Sequence, residues 1–225
     1  MPIYLQEIAA IDRGGKEAYL ELLRSRWVPR AEKSRGMRLL WIGSTVGSTA
    51  RWPETMAVWE LRDWDHWAEV CARMYVDDVD DPELASFWKD ATKLRSRSMS
   101  RTLVAAPFSP TLDRLLAEDV AGTVFVFGSF RVKRGRMTAF FEDLERFAAA
   151  RRGRKLVGAY EVGFEARSAY AIWAHRSLAE LAEYESEHAG RSFGGHVETW
   201  SERWGFAAPG SPLWPKDYRT DVRIW

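Results

Sequence analysis

The sequence predicts an α+β fold in which a strand–helix–strand–strand–helix–strand unit occurs twice. Three pairs of similar segments, in the same order along the chain, indicate this duplication. The pairs are Gly14–Leu23 with Gly135–Leu144, Met56–Glu60 with Tyr170–Ala174, and Arg101–Pro110 with Arg203–Pro212. The separation within a pair falls from 121 to 114 to 102 residues, so the second copy contains deletions. Because a repeat sets the whole architecture, every later inference depends on this one.

The duplication divides the chain into four parts. We place the first repeat at residues 1–110, a connector at residues 111–121, and the second repeat at residues 122–212. An aromatic tail at residues 213–225 has no counterpart in the first copy. The tail is expected to pack on the other repeat or on a second chain.

Four strands are expected in each copy, because alternating segments rich in β-branched and aromatic residues recur at matching positions. The expected strands are Ile3–Ile11, Met37–Thr45, Thr55–Leu61 and Ser96–Ala105 in the first copy, and Thr123–Val132, Lys155–Gly163, Ser168–Ala174 and His196–Phe206 in the second.

Two helices per copy are predicted from apolar residues at helical spacing and from capping residues. The first pair is Lys16–Glu32 and Met137–Arg151. The second pair begins after Asp63 and Ser177, and Ser177–Glu180 has the capping-box pattern, in which hydroxyl and carboxylate satisfy the first amides. The first copy adds a further helix at Pro82–Lys93 that the second copy lacks.

This order of elements is the ferredoxin-like arrangement, which leaves one face of each sheet bare. Two such copies can press their bare faces together into a two-sheet, barrel-like core within one chain. The other arrangement is contact with the bare faces of a second chain. The chain is therefore expected to be either a monomer with a pseudo-twofold core or a homodimer.

The tandem copies resemble the dimeric α+β barrel superfamily and, within it, the NIPSNAP-like proteins. The resemblance depends on Gly14–Lys16 and Arg134–Arg136 before the first helices, on Trp52–Glu60, on the split second helix of the first copy, and on the Ala-Ala-Pro-x-Ser-Pro endings. It implies a pocket between sheet and helices. The superfamily includes cofactor-free oxygenases, cyclases, isomerases and haem-binding proteins, and it has no common catalytic signature.

Composition excludes several classes of function. The chain has 33 Lys+Arg against 32 Asp+Glu, and neutralising nucleic-acid phosphates needs an excess of clustered base. A single cysteine, Cys71, cannot form an internal disulfide or a cysteine-based zinc site. No apolar run is long enough to span a membrane, and Met1–Glu7 lacks the features of a signal peptide, so we expect a cytoplasmic protein. Twelve tryptophans indicate aromatic-walled cavities or thick aromatic cores.

Five residues of the second copy are candidates for catalysis. Histidine titrates near neutral pH and suits proton transfer, and a buried tyrosine can donate to a developing oxyanion. The catalytic candidates are His175, His188, His196, Tyr160 and Tyr170. For each, a structural role is the alternative, such as a helix-end histidine or a core tyrosine. No metal site is expected from the four histidines, and His66 is expected to be a solvated residue in the first turn of a helix.

Four residues are candidates for substrate binding. They are Trp41, Trp173, Glu198 and Trp200. Strand alternation places Glu198 and Trp200 on one face with His196. Trp41 corresponds to Gly158, so a large side chain of the first copy is replaced by a glycine in the second. This difference in size favours a cavity in the second copy.

Three functions remain open from the sequence. The first is a cofactor-independent enzyme, of oxygenase, isomerase or cyclase type, acting on a small apolar or aromatic metabolite. The second is a protein that binds a hydrophobic ligand without turnover. The third is a haem protein of the chlorite-dismutase type with His188 or His175 as axial ligand. A small molecule is the expected partner, with no nucleic acid and no membrane.

Overall fold

Eight antiparallel strands close into a barrel in a computed structural model that describes residues 1–12, 14–47, 52–77, 81–150, 154–187 and 195–216. The strands are β1 (Ile3–Ile11), β2 (Arg38–Thr45), β3 (Glu54–Leu61), β4 (Arg95–Ala105), β5 (Val124–Val132), β6 (Lys155–Val162), β7 (Ser168–His175) and β8 (Val197–Ala207). Their order around the barrel is β1-β3-β2-β8-β5-β7-β6-β4, and β4 pairs with β1 to close it.

Each repeat supplies one half of the barrel, as the ferredoxin-like arrangement predicts. Within a repeat the strands pair over long ladders, whereas β2–β8 and β4–β6 are short seams of three residue pairs each. The β2–β8 seam requires glycine on both strands, because a Cβ at Gly43 would lie 2.1 Å from the Phe206 carbonyl oxygen. A Cβ at Gly205 would lie 2.4 Å from the Ser44 carbonyl oxygen.

Helices cover the outer faces of the two half-barrels. They are α1 (Lys16–Leu22), α2 (Val28–Arg35), α3 (Trp64–Ala72), α4 (Pro82–Ala91), α5 (Leu112–Ala117), α6 (Met137–Ala150) and α7 (Leu178–Glu187). Asp63 caps α3 by accepting a hydrogen bond from the His66 N–H at 2.8 Å. Ser177 accepts one from the Glu180 N–H at 3.2 Å, so the hydroxyl half of the predicted capping box forms. The Glu180 carboxylate reaches back one residue further than a capping box requires and accepts from the Arg176 N–H, not from the N–H of Ser177 itself. Among the described helices, none has the length and apolar character needed to cross a membrane.

Two features of the helices were not predicted. The expected helix Lys16–Glu32 is continuous in space but contains a π-helical turn at Leu23–Trp27, and a second π-helical turn, Arg73–Asp77, follows α3. The connector at residues 111–121 contains α5, a helix for which the sequence analysis makes no prediction. Its first amide, Leu112 N–H, donates to the buried Glu60 carboxylate at 2.8 Å, which fixes α5 against the barrel.

The interior of the barrel is a packed core to which both repeats contribute. Side chains of alternate strand positions point inward, as the pleat requires. Large buried members include Tyr4, Trp41, Phe125, Phe127 and Tyr160. Separate apolar clusters lie between the outer face of each half-barrel and its helices.

The expectation for His66 is wrong. Only 2% of its surface is exposed, because its ring turns under the end of α2. Its Nδ1 accepts from the Arg62 N–H at 3.2 Å, and its Nε2 lies 2.6 Å from the Arg35 carbonyl oxygen. Nε2 therefore carries the proton, and the neutral ring satisfies two backbone groups.

Candidate active site

A cavity of about 500 Å³ lies between the first half-barrel and its helices. Small-molecule sites commonly enclose roughly 300–1,000 Å³, so this cavity has the size of a ligand pocket. Its walls are mainly apolar and aromatic, and its charged residues are Glu7 and Arg95. We call it the first-repeat pocket, defined by Leu5, Glu7, Ala9, Tyr19, Leu23, Trp27, Met74, Tyr75, Leu84, Phe87, Trp88, Arg95, Met99 and Ser100 among its lining residues.

Glu7 forms the polar floor of the first-repeat pocket. It lies in the middle of β1, in which each of the other eight residues is buried and Glu7 alone keeps partial exposure. Two indoles hold one carboxylate oxygen: Trp59 Nε1 donates to Oε2 at 2.7 Å and Trp27 Nε1 at 3.3 Å. Since Glu7 lines the cavity, its remaining surface faces the space that a ligand would fill.

The pKa of the Glu7 carboxyl is raised above its ordinary value, chiefly because burial penalises the charged form. The two indole hydrogen bonds oppose this increase, as do the positive charges of Arg95 and Arg35. A buried carboxylate of raised pKa is a stronger base than an exposed one, so Glu7 has the properties of a general base.

Arg95 and Tyr19 form a second polar group in the wall of the pocket. Arg95 Nη1 donates to the Tyr19 hydroxyl at 3.2 Å, and its guanidinium lies 4.8 Å from the centre of the Trp88 ring. Burial raises the pKa of the Tyr19 phenol, while the charge and hydrogen bond of Arg95 lower it. Overall the pKa is raised, so the phenol stays protonated at neutral pH.

The wall opposite the sheet comes from helical features that the described residues of the second repeat lack. Leu23 and Trp27 belong to one π-helical turn, and Met74 and Tyr75 belong to the other. A π-helical turn inserts a residue into a helix, and such insertions are common at functional sites. The extra helix α4 supplies Leu84, Phe87 and Trp88, and the Phe87 ring stacks on Trp27 at 5.4 Å.

The two repeats can be compared position by position because their strands pair in the same register. Glu7 pairs with Ala57, and Gly128 pairs with Ala171, so Glu7 corresponds to Gly128. By the same registers Ala9 corresponds to Phe130.

Two further correspondences come from strand pairing and ring packing. Arg95 pairs with Ile11 in the first repeat, and Val197 pairs with Val132 in the second. Trp27 packs edge-on against Trp59, and Phe147 packs edge-on against the matching Trp173. Trp27 and Phe147 are separated by one residue fewer than Tyr19 and Phe140. The π-helical turn explains this difference, because it inserts one residue into the first repeat between Tyr19 and Trp27.

The second repeat lacks four of the polar side chains that line the pocket. Glu7, Tyr19, Trp27 and Arg95 correspond to Gly128, Phe140, Phe147 and Val197. The ring of Phe130 occupies the space above Gly128, where a Cβ would lie 2.8 Å from it. Trp173, which matches Trp59, has no hydrogen-bond acceptor for its Nε1 in the described part of the chain. The polar pocket is therefore a feature of the first repeat and is not required by the fold.

The structure places the predicted histidines apart from one another. His175 is 1% exposed at the end of β7, with its ring 5.6 Å from that of Tyr184. The ring is buried in this position, and its roles as a base or haem ligand stay predictions. His196 lies near the surface, with Nε2 3.0 Å from Asp143 Oδ2. His188 lies outside the described residues, and its roles as base or haem ligand stay predictions.

The predicted tyrosines and Trp41 lie inside the barrel, on the other side of the sheet from His175. Tyr160 is buried 4.9 Å from the Tyr4 ring, and Tyr170 accepts a hydrogen bond from Gln6 Nε2 at 2.7 Å. Trp41 packs on Phe127 at 4.9 Å. The expected cavity at Gly158 is absent because the Tyr160 ring fills it: a Cβ there would lie 1.8 Å from the Tyr160 hydroxyl.

The other predicted binding residues also lie apart. Trp173 is buried under Arg154, whose guanidinium is 4.1 Å from its ring. Glu198 pairs with Arg167 at 2.5 Å near the surface. Trp200 is 39% exposed and lines a second cavity of about 320 Å³, together with Tyr170. The structure thus does not assemble the predicted residues into one site, and their catalytic and binding roles stay predictions.

Sequence reasoning missed Glu7, Tyr19 and Arg95, although two signals were present. A carboxylate stands at the centre of the otherwise apolar and amide-containing strand Ile3–Ile11, and glycine stands at the matching position of the second copy. The second signal is the additional helix of the first copy, predicted at Pro82–Lys93, which supplies part of the pocket wall in the structure. Across the residues that the structure describes, no group of three His, Cys, Asp or Glu side chains is placed to hold a metal ion.

Comparisons with solved structures identify the fold. A candidate monooxygenase from Lactobacillus acidophilus is 11% identical with a TM-score of 0.57, covering 92% of this chain and 93% of that one. An anthrone oxidase-like protein is 10% identical with a TM-score of 0.59, covering 92% of this chain and 91% of that one. The chain has the dimeric α+β barrel fold.

Here both halves of the α+β barrel come from one chain, which is the first of the two arrangements expected from the duplication. NIPSNAP family proteins are among the similar structures: one from Agrobacterium tumefaciens is 22% identical with a TM-score of 0.40, covering 49% of this chain and 98% of that one. No protein-family model matches the sequence. No curated protein matches it either.

Proposed function

We propose that this protein is a cofactor-independent enzyme of the oxygenase type, acting on a small aromatic metabolite in the first-repeat pocket. One observation carries the proposal: a carboxyl of raised pKa forms the floor of an aromatic cavity in one repeat, and glycine replaces it in the other. An acid that the fold itself required would be needed in both repeats.

Glu7 acts as the general base. Its carboxylate takes a proton from an acidic C–H or O–H of the bound ligand, and the raised pKa increases its affinity for that proton. The indole N–H groups of Trp59 and Trp27 fix Oε2, so the carboxylate keeps one orientation during the transfer. The aromatic walls exclude water and hold the ring of the substrate.

The resulting carbanion or phenolate is electron-rich and reduces dioxygen directly. In the overall reaction a CH₂ group and O₂ give a carbonyl group and H₂O: one oxygen atom forms the new C=O bond, and the other leaves with both hydrogens. The substrate supplies the electrons. Two neighbours of this fold are described as candidate monooxygenases and a third as anthrone oxidase-like, which supports this reaction class.

The test is oxygen uptake by the purified protein with a panel of anthrones and hydroxyarenes, with ¹⁸O₂ used to follow the label into the product. We expect one O₂ consumed per substrate and one ¹⁸O in each product molecule. Glu7→Gln should lower the rate by about 10²- to 10⁴-fold, the usual contribution of a general base. Glu17→Gln is the matched control, because Glu17 is an exposed carboxylate outside the pocket.

Equal rates for Glu7→Gln and the unaltered protein would exclude Glu7 as the base. Tight binding of the panel members without oxygen uptake would favour the alternative, a protein that binds a hydrophobic ligand without turnover.

A further inference from the structure

We infer that the first-repeat pocket recognises its aromatic ligand by an anionic oxygen bound by Arg95 and Tyr19. The ligand class is then an aromatic carboxylate, phenolate or enolate. This inference specifies the substrate class of the proposed enzyme and rests on the same pocket, but its test needs no turnover.

Arg95 has hydrogen-bonding capacity that the fold does not use. A guanidinium carries five N–H donors, and the contact recorded for Arg95 is a single bond to the Tyr19 hydroxyl. No carboxylate lies within 4.0 Å of the Arg95 side chain in the described ranges. The charge is held against the Trp88 ring at 4.8 Å, which fixes it in the pocket wall while leaving donors for a ligand.

Tyr19 supplies a second donor beside Arg95. Its hydroxyl oxygen accepts the Arg95 bond, so its own proton remains to be donated. The residue is 3% exposed, and its raised pKa keeps the phenol protonated. A phenol and a guanidinium side by side are a suitable pair for one ligand oxygen with negative charge.

The charge balance of the pocket changes in favour of an anion as the reaction begins. Glu7 and Arg95 are the charged residues among those lining the cavity. Arg35 does not line the cavity, and its charge acts on Glu7, whose pKa it lowers. When Glu7 accepts the ligand's proton, its negative charge is lost, and the Arg95 guanidinium then stabilises the charge that develops on the ligand.

The second repeat shows that these two donors are specific to the pocket. Arg95 corresponds to Val197 and Tyr19 to Phe140, and both replacements keep an apolar contact while removing every donor. The ring of Phe140 packs on Phe130 at 5.1 Å in the space that the pocket occupies in the first repeat. The second repeat therefore has no counterpart of the Arg95 guanidinium or of the Tyr19 hydroxyl at these two positions.

The test compares two probes that share one ring system. Quenching of tryptophan fluorescence reports the binding of 2-naphthoate, an anion, and of 2-naphthalenemethanol, its neutral counterpart. We expect the unaltered protein to bind 2-naphthoate about 10- to 100-fold more tightly, the usual effect of hydrogen bonds to a charged group. Arg95→Gln should abolish this preference, and Arg95→Lys should keep part of it, since lysine retains the charge but not the fork of donors.

Arg97→Gln is the matched control. Arg97 lies two residues along β4, is exposed and does not line the cavity. The Arg97→Gln substitution removes the same charge from the same strand, and it should leave the preference for 2-naphthoate intact. Equal affinities of the unaltered protein for the two probes would overturn the inference without any variant. A clear preference for 2-naphthoate in a protein that consumes no oxygen would support the ligand class while refuting the oxygenase reaction.

Discussion

Replacing two residues of the first repeat by their counterparts from the second should fill the pocket and leave the fold intact. Glu7 corresponds to Gly128 and Ala9 to Phe130, so the double variant Glu7→Gly/Ala9→Phe copies the second repeat into the first. In the second repeat the Phe130 ring lies 2.8 Å from the position a Cβ on residue 128 would take. A phenylalanine at position 9 therefore competes with Glu7 for the same space unless Glu7 is removed too.

The expected energies follow from this competition. Ala9→Phe alone crowds the Glu7 side chain and should lower the free energy of unfolding by about 1–3 kcal/mol, as overpacking does. Glu7→Gly alone leaves the Trp59 and Trp27 N–H groups without their carboxylate and should cost about 1–3 kcal/mol. In the double variant the new ring fills the space that the carboxylate vacates. The double variant should therefore lose about 1–3 kcal/mol less unfolding free energy than the two single variants lose in sum.

Urea unfolding of the four proteins measures this coupling directly, provided that the m-values agree. The double variant should also lose the binding of 2-naphthoate while remaining folded. Additivity of the two single changes to within about 0.5 kcal/mol would refute the correspondence between the repeats. Retained binding by the folded double variant would show that the ligand site lies elsewhere.

Three further predictions test the account at single residues. Trp59→Phe should cost about 1.5–3 kcal/mol more than its counterpart Trp173→Phe in urea unfolding, because only Trp59 donates to a carboxylate; equal costs would contradict the bond to Glu7. The pKa of Glu7 is raised in the folded protein, so the stability that Glu7 contributes is complete below pH 4.5 and is lost as the pH rises through the pKa of the folded state. The Tm of Glu7→Gln should therefore rise relative to that of the unaltered protein between pH 4 and pH 8. The relative Tm of Glu17→Gln should change in the opposite direction, because burial raises the pKa of Glu17 but its hydrogen bonds and the charge of Lys16 lower that pKa overall. The same trend of Tm with pH in both variants would argue against burial as the cause of the Glu7 shift. Finally, Glu60→Ala should lower the free energy of unfolding by about 2–5 kcal/mol, because Tyr4 and Leu112 lose their buried acceptor; a cost below about 1 kcal/mol would show that α5 does not depend on it.

Most of the fold could be predicted from the sequence, because the duplication provides two independent sequence segments for each strand and helix of the repeat. The sequence predicts β1 at Ile3–Ile11, with the bounds that the structure has, and predicts matching helix starts at Asp63 and Ser177. The π-helical turn at Leu23–Trp27 could not be predicted, since one inserted residue leaves the apolar spacing of a helix nearly unchanged. The α5 helix depends on a tertiary contact with Glu60, which no local pattern shows.

The candidate site is harder to predict, because it depends on differences between the repeats, whereas the duplication is recognised from their similarities. The histidines and tyrosines of the second copy are candidates by residue type alone. The residues that converge on a cavity, Glu7 and Arg95, are separated by 88 positions and meet because β1 pairs with β4. Comparing each polar residue with its partner in the other copy would have identified them, since glycine and valine stand at the corresponding positions.

The most direct test of the central claim is a crystal structure of the protein with 2-naphthoate bound. The account predicts one ligand per chain, with its rings against Trp27 and Phe87 and its carboxylate within hydrogen-bond distance of Arg95 and Tyr19. A ligand seated in the second repeat or at the Trp200 cavity, with the first-repeat pocket unoccupied, would contradict it.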